Sequence, residues 1–374
     1  MAKRDIIEKL VGTFCRPASW QIQGNKEKFK IFVLRNNDIG DLILTTPLFE
    51  ALKTIFPNCR LQVGIGDWNR EILMGNPYVD EILPLNAPWH NKVSCRHSPN
   101  SPIGFLRSLC YIFFSKEARK LSRQKSNMGI DILGSLEGTL LMHKAGIQNR
   151  MGARGYSGGY SGCQKWRQFK IDENAGRSTL RYAERLGMSE IDLPALRPQL
   201  YLTKDELEKG KASWQNQTGR KKVAISTGAG FSEKCWPAEN FCELAQKMYA
   251  RGDVELIFLG SKMDRENGEE LKKAIPELRN IAGSTTLRET LAILSMANFV
   301  ICNTTMFMHV AAAFEVPTLV LLGPWYDSAQ LHHDQWGHKE STILGREISV
   351  GRQELTTVQE AFEHCSRILR FAAK

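Results

Sequence analysis

Short apolar runs alternate with segments of helical spacing along the whole chain. In the first half, the runs that predict β-strands are 30–35, 61–66, 80–85, 131–136 and a short run near 148–151. In the second half, they are 221–227, 254–260, 298–303 and 317–323. Helical spacing is seen at 41–56, 237–250, 263–273, 286–296, 306–314 and 356–371. This alternation predicts an α/β fold with parallel sheets, with an irregular stretch from Gly323 to about residue 342.

A polar, charge-rich segment at 196–222 separates two such series and is the predicted linker. We expect two Rossmann-like domains facing a cleft, over 1–205 and 206–350. The remaining segment, 351–374, is expected to be a helix that packs back on the first domain. A chain of 374 residues is long enough for two cores of ordinary size.

Composition narrows the class of protein. With 42% hydrophobic residues and no apolar run near the ~20 residues of a membrane span, the chain is typical of a soluble globular protein. The N-terminus lacks the apolar core of a signal peptide. The nine cysteines show no CxxC spacing, which favours reduced thiols in a cytoplasmic protein over disulfides or a zinc site.

Positive charge is concentrated in the first half of the chain. Residues 1–200 contain 29 Lys and Arg against 18 Asp and Glu, whereas residues 201–374 are nearly neutral. A segment at 86–127 contributes eight basic residues and one acidic residue, Glu117. Its apolar centre predicts an amphipathic helix, which suits either an anionic lipid surface or packing on its own domain. The residues expected to share one side are Phe105, Leu109, Ile112 and Phe113.

Two segments of the second half have the composition of anion-binding sites. Small residues follow the strand at 221–227, and Lys234 adds a mobile positive charge a few residues later. In the second segment, Asn303, Thr304 and Thr305 lie where a strand ends, and His309 falls on the first turn of the next helix. Each pattern alone is equally compatible with a tight turn or an ordinary helix cap, and neither matches a Walker loop or a GxGxxG fingerprint.

The segment RNNDIGDLILTTP, residues 35–47, places acidic residues where a strand turns into a helix. Both Asp38 and Asp41 are positioned to cap that helix by accepting amide hydrogen bonds. A carboxylate at the carboxyl end of a strand is equally suited to catalysis or substrate binding.

Taken together, DIGDLILTTPLFEALKTIFP, STGAGFSEKCWPAENFCELAQ, IAGSTTLRETLAILSMANFVICNTT and MHVAAAFEVPTLVLLGP resemble the ADP-heptose–lipopolysaccharide heptosyltransferases, glycosyltransferase family 9. The matching segments run from about residue 30 to 325 in the order of the family. This resemblance implies the glycosyltransferase B (GT-B) fold, inversion at the anomeric carbon, an ADP-heptose donor and no cofactor or metal requirement. The first domain would bind the acceptor and the second the nucleotide sugar.

The resemblance also assigns roles to individual residues. Asp41, after Gly40, is the candidate catalytic base, and Lys234 the candidate that stabilises the leaving diphosphate. Because positive charge is concentrated in the first domain, the residues expected to contact an acidic acceptor are Arg35, Arg150, Arg154 and the basic cluster at 92–125, together with Gly40. The expected nucleotide-sugar contacts are Thr227, Gly228, Ala229, Gly230, Thr285, Asn303, Thr304, Thr305 and His309.

The chain departs from the family pattern just before His309. Where the family commonly has an acidic residue or serine, then serine or threonine, then glycine, this chain has Thr304, Thr305 and Met306. The departures leave open a different donor or an inactive member that acts as a binding protein. A nucleotide-sugar epimerase of the same fold is a further alternative.

The expected partners are a nucleotide sugar, an anionic glycolipid acceptor and the surface of the inner membrane. A nucleic-acid partner is not expected, because the basic residues lack a recognisable binding motif. No metal site is expected either, and the adjacent His332 and His333 are interpreted as a loop feature.

Overall fold

The computed structural model describes residues 3–16, 18–21, 29–98, 101–214 and 219–371. Small parts of the basic segment 86–127 (99–100) and of the predicted linker (215–218) therefore lie outside the described residues. Contacts divide the chain into two compact units, Met1–Gln199 and Leu200–Lys374. The structure confirms the expected α/β fold class, because each unit contains one parallel six-stranded sheet.

The first unit has the strand order β3-β2-β1-β4-β5-β6. Its strands are β1 Lys30–Leu34, β2 Arg60–Ile65, β3 Glu81–Pro84, β4 Met128–Asp131, β5 Asn149–Arg154 and β6 Lys165–Gln168. Its helices are α1 Lys3–Phe14, α2 Ile39–Ile43, α3 Thr46–Ile55, α4 Pro102–Phe114, α5 Lys116–Gln124, α6 Leu136–Lys144 and α7 Ala175–Arg185. Residues 31–34 of β1 are buried, as expected for a central strand with helices on both faces.

The second unit has the strand order β12-β11-β10-β7-β8-β9. Its strands are β7 Lys221–Ser226, β8 Val254–Phe258, β9 Arg279–Asn280, β10 Phe299–Cys302, β11 Thr318–Leu321 and β12 Ser341–Leu344. Its helices are α8 Lys204–Ala212, α9 Ala238–Ala250, α10 Arg265–Ala274, α11 Leu287–Ser295, α12 Met306–Ala313, α13 Ala329–Trp336 and α14 Val358–Phe371.

The final helix α14 contributes to the core of the second unit. Its buried residues Ala361, Cys365 and Leu369 join a cluster that includes Phe241 and Leu244 of α9. The packing of this helix on the first domain stays a prediction.

Helix α8 is attached to the second unit by a charged pair. Arg288 of α11 is 8% exposed and donates from Nε and Nη2 to the two carboxylate oxygens of Glu206, at 2.7 and 2.6 Å. The same guanidinium donates to the main-chain oxygen of Tyr201 at 2.8 Å. These bonds explain why the division between the units falls before α8, slightly earlier than the boundary expected after residue 205.

Three sequence-based expectations about single elements are wrong. The strand expected at 131–136 ends at Asp131, whose carboxylate accepts hydrogen bonds from the main-chain nitrogen and hydroxyl of Ser135, at 2.7 and 2.8 Å. These bonds turn the chain into α6. The helix expected at 41–56 breaks into α2 and α3, and α13 occupies part of the stretch expected to be irregular.

The basic segment contains two helices rather than one. Ser115 ends α4, and its hydroxyl caps α5 by accepting a hydrogen bond from the main-chain nitrogen of Ala118. Ile112 of α4 is buried, whereas Phe113 is largely exposed. None of the helices in the described residues is long and apolar enough to cross a membrane.

Glu206→Gln is expected to lower the melting temperature at pH 7 by roughly 2–6 °C, because Gln cannot replace a charge-assisted bidentate pair. The hydrogen bonds from Arg288 lower the pKa of Glu206 from 4.5 to about 2. Since the folded-state pKa is lowered, the stabilisation is complete above pH 4.5 and is lost as the pH falls towards 2. Thermal unfolding followed by circular dichroism from pH 7 to pH 2 measures this effect.

The difference in melting temperature between Glu206→Gln and the wild type should therefore become smaller below pH 4.5. Glu208→Gln is the matched control, because Glu208 is an exposed residue of the same helix. A difference that stays constant down to pH 2 would show that the charge of Glu206 does not stabilise the unit.

Candidate functional site

The first sheet reverses its strand order beside β1, which has β2 on one side and β4 on the other. The segments that leave β1 and β4 therefore diverge at the carboxyl edge of the sheet. In open α/β sheets, ligands bind in the crevice formed at such a point. The residues that follow β1 include the predicted Arg35, Gly40 and Asp41.

Arg35 and Asp41 form an ion pair at this edge. The Nη2 atom of Arg35 lies 3.1 Å from Oδ1 of Asp41, and its Nε donates to the main-chain oxygen of Asp41 at 3.2 Å. Arg35 also donates to the side-chain oxygen of Asn37 at 3.2 Å. The guanidinium is buried, whereas the Asp41 side chain is 30% exposed. Arg35 therefore orients the carboxylate of Asp41 from the buried side and leaves part of that carboxylate accessible to a ligand.

Asp38, not Asp41, occupies the N-cap position of α2, although its side chain makes no capping hydrogen bond there. Instead, its carboxylate accepts a hydrogen bond from the main-chain nitrogen of Lys92 at 3.2 Å and lies 3.4 Å from the Lys92 Nζ. Asp41 lies in the first turn of the helix. The two acidic residues thus have separate contacts, and capping by its side chain does not account for either.

A loop around His90, which the sequence analysis missed, is held over the same edge. Asn36 and Asn37 donate from their side chains to the main-chain oxygens of Trp89 and His90, at 3.0 and 2.8 Å. His90 has a φ of 55°, a left-handed backbone that is costly for a residue with a Cβ. Its Nε2 lies 3.8 Å from a carboxylate oxygen of Glu137, the second residue of α6. The paired asparagines after β1 were the available sequence signal.

The two arginines of β5 that were predicted to contact the acceptor, Arg150 and Arg154, differ in their surroundings. Arg150 is 4% exposed and donates to the main-chain oxygens of Cys15, Ile147 and Gly162. It stabilises the packing of the N-terminal segment and is not accessible to a substrate, contrary to expectation. Arg154 is exposed at the end of β5, with its guanidinium 5.4 Å from the centre of the Tyr160 ring.

In the second sheet the strand order reverses between β7 and β10. Asn303, fully buried, joins the segments that leave these strands. Its Nδ2 donates to the main-chain oxygen of Thr227 at 2.5 Å, and its Oδ1 accepts from the main-chain nitrogen of Trp236 at 2.9 Å. The predicted residues from 227 to 230 and from 303 to 305 are therefore brought to one place.

The loop after β7 approaches its neighbours closely. A Cβ on Gly228 would lie 2.4 Å from a carboxylate oxygen of Asp264, so a larger residue would fit only if the Asp264 side chain moved. Lys234 ends a short 3-10 helix, and its Nζ lies 4.8 Å from the ring centre of Phe231 and 5.8 Å from that of Tyr326. Lys234 closely follows the segment Thr227–Gly230 in sequence, and we call that segment the small-residue loop.

The start of α12 contains the two threonines at which the sequence analysis expects a departure from the family pattern, Thr304 and Thr305. Thr305 caps the helix by accepting a hydrogen bond from the main-chain nitrogen of Phe307 at 3.3 Å. The hydroxyl of Thr304 lies 2.9 Å from Nε2 of His332. His332 belongs to helix α13 and is buried, so its interpretation as a loop feature is wrong.

Three buried histidines lie near this helix and are neutral at physiological pH. The pKa of His332 is lowered to about 4, by burial first and then by the nearby charge of Lys234. Burial also lowers the pKa of His338 to about 4, and that of His309 well below its ordinary value. The Nδ1 of His309 lies 2.8 Å from Nε2 of His338. His309 therefore brings no positive charge to this site.

Thr285 follows β9, at the opposite side of the sheet from β11 and β12. Its hydroxyl lies 2.9 Å from that of Thr290, and it lines a groove of about 540 Å³ with Arg279 and Arg288. Within the described residues, no three or more His, Cys, Asp or Glu side chains form a group that could hold a metal ion.

The comparisons with known proteins agree on one family. The model of glycosyltransferase family 9 (heptosyltransferase) matches residues 115–349. Lipooligosaccharide heptosyltransferase 2 of Haemophilus influenzae is 26% identical over 309 residues, which cover 79% of this chain and 83% of the relative. Lipopolysaccharide heptosyltransferase 2 of Escherichia coli has the same identity and coverage.

Solved structures share the fold. The E. coli ADP-heptose lps heptosyltransferase II structure has a TM-score of 0.72 at 23% identity, over 92% of this chain and 100% of the other. The glycosyl transferase family 9 structure from Veillonella parvula has a TM-score of 0.73 at 17% identity, over 94% and 100% of the two chains. The chain has the GT-B fold and belongs to glycosyltransferase family 9, the heptosyltransferases.

Proposed function

We propose that the protein transfers a heptose from ADP-heptose to the anionic core of a lipopolysaccharide acceptor, with inversion at the anomeric carbon. The observation that carries this proposal is the arrangement around Asn303, which holds the small-residue loop and the start of α12 together near Lys234. Backbone amides, hydroxyls and one ammonium group in such a place suit a diphosphate. Family membership supplies the reaction class, and the names of the relatives supply the donor and acceptor.

In the proposed reaction an acceptor hydroxyl attacks the anomeric carbon and the bond to the ADP oxygen breaks. The hydroxyl proton passes to the carboxylate of Asp41, which Arg35 orients. A positioned base contributes roughly 10²–10⁴ in rate. Gly40 and Arg154 belong to the same proposed acceptor region, and Arg150 does not because it is buried against main-chain oxygens.

Negative charge that develops on the leaving diphosphate is balanced by protein groups in the proposed step. Lys234 supplies the positive charge, and the amides at Thr227–Gly230 and at the start of α12 supply hydrogen bonds. Losing one such preorganised donor costs roughly 10²–10³ in rate. Thr304, Thr305 and His309 contribute neutral donors, Thr285 lies on the side proposed for the base, and no metal is required.

We further propose that the protein works at the cytoplasmic face of the inner membrane, bound peripherally through α1 and α4. The large apolar side chains exposed on these helices are Leu10, Phe14, Ile103, Leu106, Phe113 and Phe114. Of these side chains, Leu10, Phe14 and Phe113 also line an apolar groove of about 560 Å³ between α1, α4 and α6. The helix α5, which has exposed basic residues, directly follows α4 in the chain, and the exposed Lys144 of α6 lines the groove. Apolar and basic groups together suit anionic phospholipid.

The direct test of the transfer is to incubate the protein with ADP-heptose and a panel of truncated lipopolysaccharide acceptors. We expect ADP release that depends on the acceptor and a gain of one heptose in the acceptor mass. Conversion of the nucleotide sugar without acceptor would favour an epimerase. Tight binding with no turnover on any nucleotide sugar would favour an inactive binding protein.

Asp41→Asn is expected to reduce turnover by roughly 10²–10⁴, because the amide cannot accept the acceptor proton. The affinity for ADP-heptose, measured by calorimetry, should stay within about twofold of the wild type. Asp38→Asn, on the same turn, is the matched control and should cost less than about tenfold in turnover. If Asp41→Asn weakened the binding of ADP-heptose by as large a factor as it reduced turnover, Asp41 would instead be assigned to donor binding.

Replacing Leu106 and Phe114 by serine should weaken binding to vesicles of phosphatidylcholine and phosphatidylglycerol by about tenfold or more, because the apolar area inserted is lost. Co-sedimentation measures the bound fraction. Ile191→Ser is the control, since Ile191 is 95% exposed elsewhere in the first unit. Equal binding of both variants to the vesicles would contradict the proposed surface.

A further inference from the structure

Two large aromatic side chains are exposed beside Lys234. Trp325 is 60% exposed and Phe231 is 40% exposed, although their rings pack edge to face with centres 5.0 Å apart. The Nζ of Lys234 lies 4.8 Å from the centre of the Phe231 ring. Exposed aromatic surface next to a fixed charge commonly marks a ligand site. We call Phe231 and Trp325 the aromatic shelf.

The aromatic shelf is held rigidly on the loop that contains Lys234. Trp325 donates from its main-chain nitrogen to the oxygen of Glu233 at 2.9 Å, and Gly323 donates to the oxygen of Lys234 at 3.1 Å. A Cβ on Gly323 would lie 2.3 Å from the main-chain oxygen of Cys235. The segments after β7 and β11 thus pack backbone to backbone. The ring of Trp325 therefore has a defined place relative to Lys234.

The order of the strands separates the proposed contacts of a nucleotide sugar along the edge of the second sheet. Because all strands of this sheet are parallel, the segments that follow them lie at the same edge. Thr285 follows β9 on one side, the proposed diphosphate site follows β7 and β10, and Trp325 follows β11 on the other side. The proposed function takes the base to lie on the side of Thr285, which leaves the side of the aromatic shelf for the sugar.

The chemistry of the shelf suits a sugar ring. The face of an aromatic ring carries partial negative charge, and the C–H groups on the apolar face of a pyranose carry partial positive charge. In a nucleotide sugar the anomeric carbon is bonded to an oxygen of the diphosphate, so the sugar must lie directly beside the group that Lys234 neutralises. The shelf occupies that position.

We propose that Trp325 and Phe231 bind the apolar face of the donor sugar and help to select which sugar is transferred. This inference rests on the proposed function, since it takes the diphosphate to lie at Lys234. It predicts that the shelf contributes to binding of the nucleotide sugar and not to binding of the nucleoside diphosphate alone. That difference separates a sugar contact from a contact with the base.

The test is calorimetric titration of the full-length protein with ADP and with ADP-heptose. Trp325→Ala should weaken ADP-heptose binding by roughly 2- to 10-fold and leave ADP binding unchanged. Trp325→Phe, which retains an aromatic face, should restore most of the lost affinity. Val350→Ala is the control, because Val350 is 80% exposed elsewhere in the second unit.

Equal weakening of ADP and ADP-heptose by Trp325→Ala would overturn the sugar subsite in favour of a contact with the nucleotide. Unchanged affinity for both ligands would overturn it as well. If the wild type binds ADP-heptose but transfers no heptose, the proposed function fails. The effect of Trp325→Ala on ADP-heptose binding relative to ADP binding then still shows whether the shelf contacts the sugar. A wild type that does not bind ADP-heptose would overturn both proposals.

Discussion

The site in the second unit depends on the buried side-chain amide of Asn303. Strands β7 and β10 pair along their length, but the segments that follow them diverge where the strand order reverses, so those segments need another connection. Asn303 supplies it by binding the main chain at Thr227 and at Trp236. A buried amide must satisfy both its donor and its acceptor, which makes this connection specific in geometry. The small-residue loop, the position of Lys234 and the start of α12 all follow from it.

Burial also determines how charge is distributed around that connection. Burial lowers the pKa of His309 in α12 and of His332 and His338 nearby, so these side chains stay neutral at neutral pH because ionisation would cost them hydration. They form hydrogen bonds, as between His309 and His338, and leave Lys234 as the positively charged group of the proposed diphosphate site. Thr304 fits this pattern, because its neutral hydroxyl pairs with neutral His332.

In the first unit the buried positive charge of Arg35 orients a carboxylate. Arg35 is fixed by Asn37 and by the main chain of α2, and it can therefore hold the Asp41 carboxylate in one orientation. Asn36 and Asn37 use their side chains to hold the loop of His90 over the same edge. Three consecutive residues after one strand thus organise most of what surrounds Asp41. Such preorganisation is what a catalytic carboxylate requires.

The sequence by itself determined the alternation of strands and helices, the parallel sheets and the segments in which the proposed chemistry lies, because periodicity and small residues after strands are local properties. The local pattern did not reveal the break between α4 and α5 at Ser115 or the helix containing His332. Only the tertiary structure showed that Arg150 is buried among main-chain oxygens and that Trp325 lies against Phe231. Burial and contacts between distant segments depend on how the strands are ordered in the sheet, and no local pattern contains that order.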